Sequence, residues 1–103
     1  LLGRVDKVPI ERGSTENPLV DFYITTHASY KNEKGIQIEK KVWHRICVVK
    51  ASLRELVITR LTKGHRVFIM GYIVYGHHNK ASIFADQLVI FDDFIPELEN
   101  DDD

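Results

Sequence analysis

Apolar and polar residues alternate with a period of two through most of this chain, and a single stretch breaks into helical spacing. From Leu19 to His27, Val20, Phe22, Ile24 and Thr26 fall on one face, and Asp21, Tyr23, Thr25 and His27 on the other. From Lys41 to Lys50 the same rule separates Trp43, Arg45, Cys47 and Val49 from Val42, His44, Ile46 and Val48. Leu1 to Asp6 reads as the tail of a strand, followed by a polar connection through Gly13-Ser14-Thr15 to Asn17-Pro18. Arg66 to Tyr75 and Ser82 to Phe91 are two further strands, joined by the short Gly76-His77-His78-Asn79-Lys80 turn. The exception is Ser52 onward. There Leu53, Leu56, Val57, Arg60 and Leu61 follow a helical period, Ser52 and Glu55 have the spacing of a capping box, and Gly64 offers a stop.

Three strands, one helix and two strands is the order of a five-stranded Greek-key barrel of the oligonucleotide/oligosaccharide-binding kind. The expected class is therefore all-β, with one α-helix between the third and fourth strands. The chain's 103 residues suffice for one such domain and its core. We expect a folded domain over residues 1–92 and an acidic tail over 93–103. No apolar run approaches a membrane span, and no membrane partner is expected. The chain opens on Leu inside an apparent strand, so a leader and the start of that strand are expected upstream.

Charge is unevenly spread. Residues 28–66 carry a net +7 and residues 67–103 a net −7, although the whole chain stands at −1. A basic middle suits a polyanionic partner better than the total suggests. Residues 28–41 read as a long basic loop holding Tyr30, Lys31, Lys34, Lys40 and Lys41. Trp43, the only tryptophan, shares a strand face with Arg45. It is either a core residue or an open π-surface beside a cation, the pair a nucleotide base and its phosphate require. His44 points to the opposite face.

Enzyme chemistry lacks a constellation. The five histidines are scattered, and the adjacent pair His77-His78 diverges on an extended turn, a poor metal site. Cys47 reads as a small packed residue, and its being the only cysteine excludes an internal disulfide. No catalytic residue, metal or cofactor is expected.

The ordered segments Leu2-Gly3-Arg4-Val5, Asn17-Pro18, Trp43-His44-Arg45, Leu53-Arg54-Glu55, Lys63-Gly64, Gly71-Tyr72-Ile73-Val74-Tyr75-Gly76 and Ala85-Asp86 resemble the single-stranded DNA-binding proteins of bacteria and mitochondria. The likeness covers roughly residues 1–92 and is greatest to the animal mitochondrial form. It implies a homotetramer, a dimer of dimers, that binds and protects single-stranded DNA without sequence preference during replication in the mitochondrial matrix and nucleoid, with replication proteins as further partners. It places base stacking on Trp43 and Tyr30, and puts Arg4, Lys31, Lys34, Lys41, Arg45, Lys50, Arg66, Tyr75 and His78 along the strand's path. It assigns His44 to the subunit contact.

The chain departs from that pattern at several positions. Val49 and His78 stand where the family has larger aromatics, Tyr72 stands where it has a lysine, and the last hairpin is short and keeps only Lys80 of its basic residues. These departures imply weaker binding or a smaller footprint. They also leave open a second class, a barrel kept for protein interaction or assembly with little DNA binding. Asp92-Asp93-Phe94-Ile95-Pro96 loosely resembles the partner-recruiting tail of bacterial members, but the reading favoured for it is solvated chain.

Overall fold

The computed structural model describes residues 1–91; the expected acidic tail lies outside the described residues. Five strands form a closed barrel: β1 (Leu2–Gly13), β2 (Pro18–Lys31), β3 (Gln37–Val48), β4 (Arg66–Tyr75) and β5 (Ala81–Ile90). The helix α1 (Ala51–Arg60) stands between β3 and β4 as expected. Around the barrel the order is β1-β2-β3-β5-β4, closed by Leu2, Gly3 and Arg4 pairing with Phe68, Val67 and Arg66. β3 and β5 run parallel, and every other pair is antiparallel.

Alternation fills the interior. Val20, Phe22 and Ile24 of β2 meet Ile46 and Val48 of β3, with Val5, Val67, Ile69, Ala85 and Leu88 completing the wall. Val57 and Leu61 bring α1 onto the same core, and Leu53 and Leu56 pack at its edge. Burying a side chain such as Phe22 is worth roughly 1.5–3 kcal/mol, so this cluster supplies the main stabilising term.

Four local expectations are corrected. First, β1 does not end at Asp6 but continues to Gly13, carried past two register irregularities, between Val5 and Lys7 and between Lys7 and Ile10. Bulges interrupt the alternation, which is why these residues read as a connection.

Second, residues 28–41 are not a loop. The β2–β3 ladder runs without interruption to Lys31 opposite Gln37, leaving only Asn32–Ile36 as a turn. The Asn32 side-chain oxygen accepts from the backbone N–H of Lys34 (2.9 Å) and Ile36 (3.0 Å), and Gly35 takes φ +77°. The side chain thus stands in for a backbone turn, and a polar hairpin needs no apolar face beyond the barrel's end.

Third, the capping box is not formed. The helix begins at Ala51 with Lys50 as N-cap and no side-chain cap. The Arg54 N–H already bonds to the Lys50 carbonyl at 2.9 Å, which draws Ser52 inside the first turn. Fourth, Gly64 does not stop the helix. The helix closes on Leu61, whose N–H reaches the Val57 carbonyl, and Gly64 at φ +99° instead turns the chain so that its N–H meets the Val5 carbonyl at 2.9 Å.

Candidate nucleic-acid interface

The β2–β3 hairpin sets which side chains share its outer wall, because directly opposed residues of an antiparallel pair point the same way. Thr25 faces Trp43, Tyr23 faces Arg45, His27 faces Lys41 and Asp21 faces Cys47. This face turns away from the Phe22–Ile46 core. Trp43 is 54% exposed, so it is a surface indole and not a core residue. Its Nε1–H donates to Asp6 Oδ2 at 3.0 Å, and the Lys41 ammonium lies 5.3 Å from the ring centroid. The indole is therefore held at its edge while much of its π-surface stays open.

Beside it lies a hollow of about 180 Å³ lined by Arg4, Val5, Asp6, Thr25, His27, Lys41 and Lys63. Three of these are basic side chains against one carboxylate, and the Arg4 guanidinium is braced on the Gly64 carbonyl at 3.1 Å. An open aromatic next to a basic recess can take a base and a neighbouring phosphate.

Further along the same wall, Lys7 sits 5.3 Å over the Tyr23 ring. Arg45 donates through Nε (2.9 Å) and Nη2 (2.8 Å) to Asp21 Oδ2, and through Nη1 to Ser82 Oγ (3.2 Å). Arg12 Nε meets both oxygens of that carboxylate at 2.9 Å. Burial alone would lower the Arg45 guanidinium, but its hydrogen bond to Asp21 and the surrounding charge raise it above its ordinary value. Cys47 is fully buried beside this network. Burial pushes its thiol up, against the opposing pull of Arg45 and a hydrogen bond with Ser82.

The expected site residues therefore divide. Trp43, Lys41, Arg45 and Arg4 come together on the outer wall, and Lys31 continues it toward the hairpin tip that carries Lys34. Tyr30, also 54% exposed, pairs with Ile38 on the opposite face of the hairpin from Trp43. Lys50 lies past the other end of β3, at the helix N-cap. Arg66 pairs with Arg4 across β4 and β1 and stacks on Phe91 at 4.7 Å.

Tyr75 and His78 stand at the exposed β4–β5 hairpin, where His78 adopts φ +61°. Since Ile46 pairs with Ile83 in parallel, the register carries that hairpin tip level with the Trp43 end of β3. His44 faces away from Trp43, and its Nε2 is 2.9 Å from Thr26 Oγ1.

Asp6, Lys7, Arg12, Asp21, Tyr23, His27 and Lys63 were not among the site residues expected from sequence, although Lys63 stood in one of the matching segments. Tyr23 and His27 were legible as the polar-face partners of a strand. Asp6 and Lys7 were hidden by the bulge. Among the described residues no group of three or more His, Cys, Asp or Glu could hold a metal ion, and no helix is long and apolar enough to cross a membrane.

A second surface is apolar. Leu2 pairs with Phe68 and Phe68 with Val89, so the three form a row on the outer face of β1, β4 and β5, continued by Met70. Tyr72 beyond them stacks on Phe84, with centroids 5.8 Å apart and planes at 18°. Leu2, Phe68, Met70, Tyr72 and Val89 are all exposed.

A family model described as the single-strand binding protein family matches residues 1–87. The chain is similar to a Drosophila melanogaster protein named single-stranded DNA-binding protein, mitochondrial, with 40% identity over 101 residues covering 90% of this chain and 69% of that one. The Danio rerio protein of the same name is 30% identical over 104 residues, covering 86% and 71%. Among solved structures, the fold is shared with the Plasmodium falciparum SSB in its complex with ssDNA (TM-score 0.77, 23% identity, 89% of this chain and 91% of that one). It is shared also with the small single-stranded DNA-binding protein of Streptomyces coelicolor (TM-score 0.69, 19% identity, 87% and 88%).

Proposed function

Since the chain belongs to the single-strand binding protein family, we propose that it binds and protects single-stranded DNA in mitochondrial replication; its relatives are named as mitochondrial single-stranded DNA-binding proteins. The observation that carries this reading is the open indole of Trp43 beside the basic recess of Arg4, Lys41 and Lys63. Stacking is indifferent to base identity because every base has a π-face, and each stacked base is worth roughly 1–3 kcal/mol. Duplex DNA, with its bases already stacked inward, offers Trp43 nothing.

The path starts at Trp43 and Arg45, passes Lys41 and Arg4, and follows the hairpin through Lys31 and Lys34. Tyr30 serves the strand as it crosses to the hairpin's other face. Tyr75 and His78 meet it from the neighbouring hairpin, while Lys50 and Arg66 attract it from farther along the barrel. Arg45 contributes the donors that Asp21 and Ser82 leave unused, a guanidinium having five N–H groups. The protein acts by binding alone and is not an enzyme.

Self-association as a homotetramer is part of the proposal. The exposed row Leu2, Phe68, Met70 and Val89 gives a second copy an apolar sheet face to cover, in keeping with the tendency of large exposed apolar patches to mark interaction sites. His44, bonded to Thr26 on the side away from Trp43, is assigned to a subunit contact.

The test is titration of Trp43 fluorescence with oligo-dT at two salt concentrations, with particle mass measured in the same samples. Quenching at low salt, reversed as salt rises, is expected, because each phosphate neutralised on a single strand adds about −0.7 to the slope of log affinity against log salt. Unquenched fluorescence at low salt refutes DNA binding. A monomeric mass refutes the assembly.

A further inference from the structure

Among the described residues Asp6 is the one carboxylate lining the basic recess beside Trp43, where its charge opposes the docking of a polyanion. The β1–β2 register explains how it arrives. Val5 pairs with Ile24 and the next pairing joins Lys7 to Tyr23, so Asp6 is the extra residue of a bulge. Bulges re-aim side chains and are common beside functional sites. In a regular strand, consecutive residues point to opposite faces. Here two consecutive residues serve the same wall: the Asp6 carboxylate accepts the Trp43 indole N–H at 3.0 Å, and the Lys7 ammonium lies 5.3 Å over Tyr23.

An acceptor for an indole N–H sits at the ring's edge, in or near its plane. The bond therefore fixes the ring's orientation without covering either face. Lys41, 5.3 Å from the ring centroid, bears on the ring from its own strand.

We propose that Asp6 is a positioning residue for base stacking: it freezes the Trp43 indole in the orientation that receives a base, and the bulge exists to deliver it there. This rests on the DNA-binding reading above. It makes a prediction opposite in sign to simple charge. Removing an acid from a site for a polyanion should tighten binding. Removing a positioning contact should weaken it, because the strand must then order the side chain, which costs about 2- to 12-fold in affinity for one rotamer-rich group.

Asp6→Asn and Asp6→Ala separate the two effects. Both delete the charge, but the asparagine carbonyl oxygen still accepts from Nε1. Trp43 is the only tryptophan, so time-resolved fluorescence anisotropy of the free protein reports its motion directly. We expect the native chain and Asp6→Asn to show a held indole and Asp6→Ala a faster-moving one. In oligo-dT titrations at fixed salt, Asp6→Asn is expected to bind at least as tightly as the native chain, with Asp6→Ala about 2- to 12-fold weaker than Asp6→Asn. Should Asp6→Ala not fold, Asp6→Ser, too short to reach the indole, takes its place.

Equal anisotropy and equal affinity in the two variants, beside a native chain that binds, overturn this inference alone. A native chain that leaves oligo-dT unbound overturns the DNA reading and the stacking role of Asp6 together.

Discussion

Asp21→Ala is the substitution that most directly tests how the outer wall is built. Asp21 is only 3% exposed, yet it carries a carboxylate. That group accepts both oxygens' worth of bonding from Arg12 Nε at 2.9 Å, and accepts Arg45 Nε at 2.9 Å and Nη2 at 2.8 Å. The carboxylate ties β1, β2 and β3 together, and Arg45 extends the tie to β5 through Ser82.

Removing one partner of a fully buried ion pair costs roughly 3–5 kcal/mol, mostly from stranding the other charge. Neither guanidinium would be fully stranded here. The Arg12 side chain is 51% exposed and that of Arg45 34%, so water re-solvates much of both. The estimate falls to about 2–3 kcal/mol, near the value of one hydrogen bond to a charged group with partial solvent relief.

Urea denaturation at fixed protein concentration measures the loss as a shifted midpoint, the concentration being held because assembly contributes to apparent stability. In DNA titrations the same variant frees Arg45 for phosphate, so the salt slope should steepen by about 0.7. A stability loss below about 0.5 kcal/mol, the usual range for a surface substitution, would refute the clamp. So would an Asp21→Ala/Arg45→Ala double-mutant cycle with no coupling.

Three other perturbations have defined outcomes. Trp43→Ala should lower oligo-dT affinity by about 1–3 kcal/mol in titrations with labelled oligonucleotide, with the melting temperature little changed because the indole is on the surface. The Cys47 thiol is pushed up by burial; with its folded value above its unfolded one, its contribution is intact at neutral pH and is lost as pH rises through the folded value. Thermal melts should thus fall more steeply with alkaline pH in the native chain than in Cys47→Ala, and parallel curves would contradict the assignment. In Gly71→Ala the new Cβ would lie 2.0 Å from the Phe84 carbonyl oxygen and 2.9 Å from its carbon; backbone cannot yield as a side chain does, so a loss of at least about 1–3 kcal/mol is expected in denaturation.

What was readable in the sequence follows from what a period can encode. Val20, Phe22 and Ile24 were assigned to one face of β2, and all three are core. The helix was placed between the third and fourth strands because leucine and valine fell at helical spacing, although its first turn starts before Ser52. The β2–β3 hairpin escaped because its outer half leaves the barrel: Ala28 to Lys31 and Gln37 to Lys40 pair through backbone while both faces meet water, so no apolar alternation marks them. The apolar outer row of Phe68 and Met70 escaped for the reverse reason. β4 is apolar on both faces, and a single chain accounts for only one of them.

The site was partly legible, and its gaps share a cause. Trp43 and Arg45 lie on one regular strand, so a period of two sufficed to group them, whereas Lys41 of the same strand was read into the loop. Their partners Asp6 and Lys7 lie where β1 breaks that period, and the break is what lets both face the wall. A strand that kept strict alternation would send one of the two toward the Val5–Ile24 interior, where an acid or an ammonium group has no water and no partner. The irregularity that ended the sequence reading at Asp6 is thus the same one that equips the wall. In a small barrel whose interior is filled by alternating residues, a bulge is one of the few ways to add a functional side chain without taking one from the core.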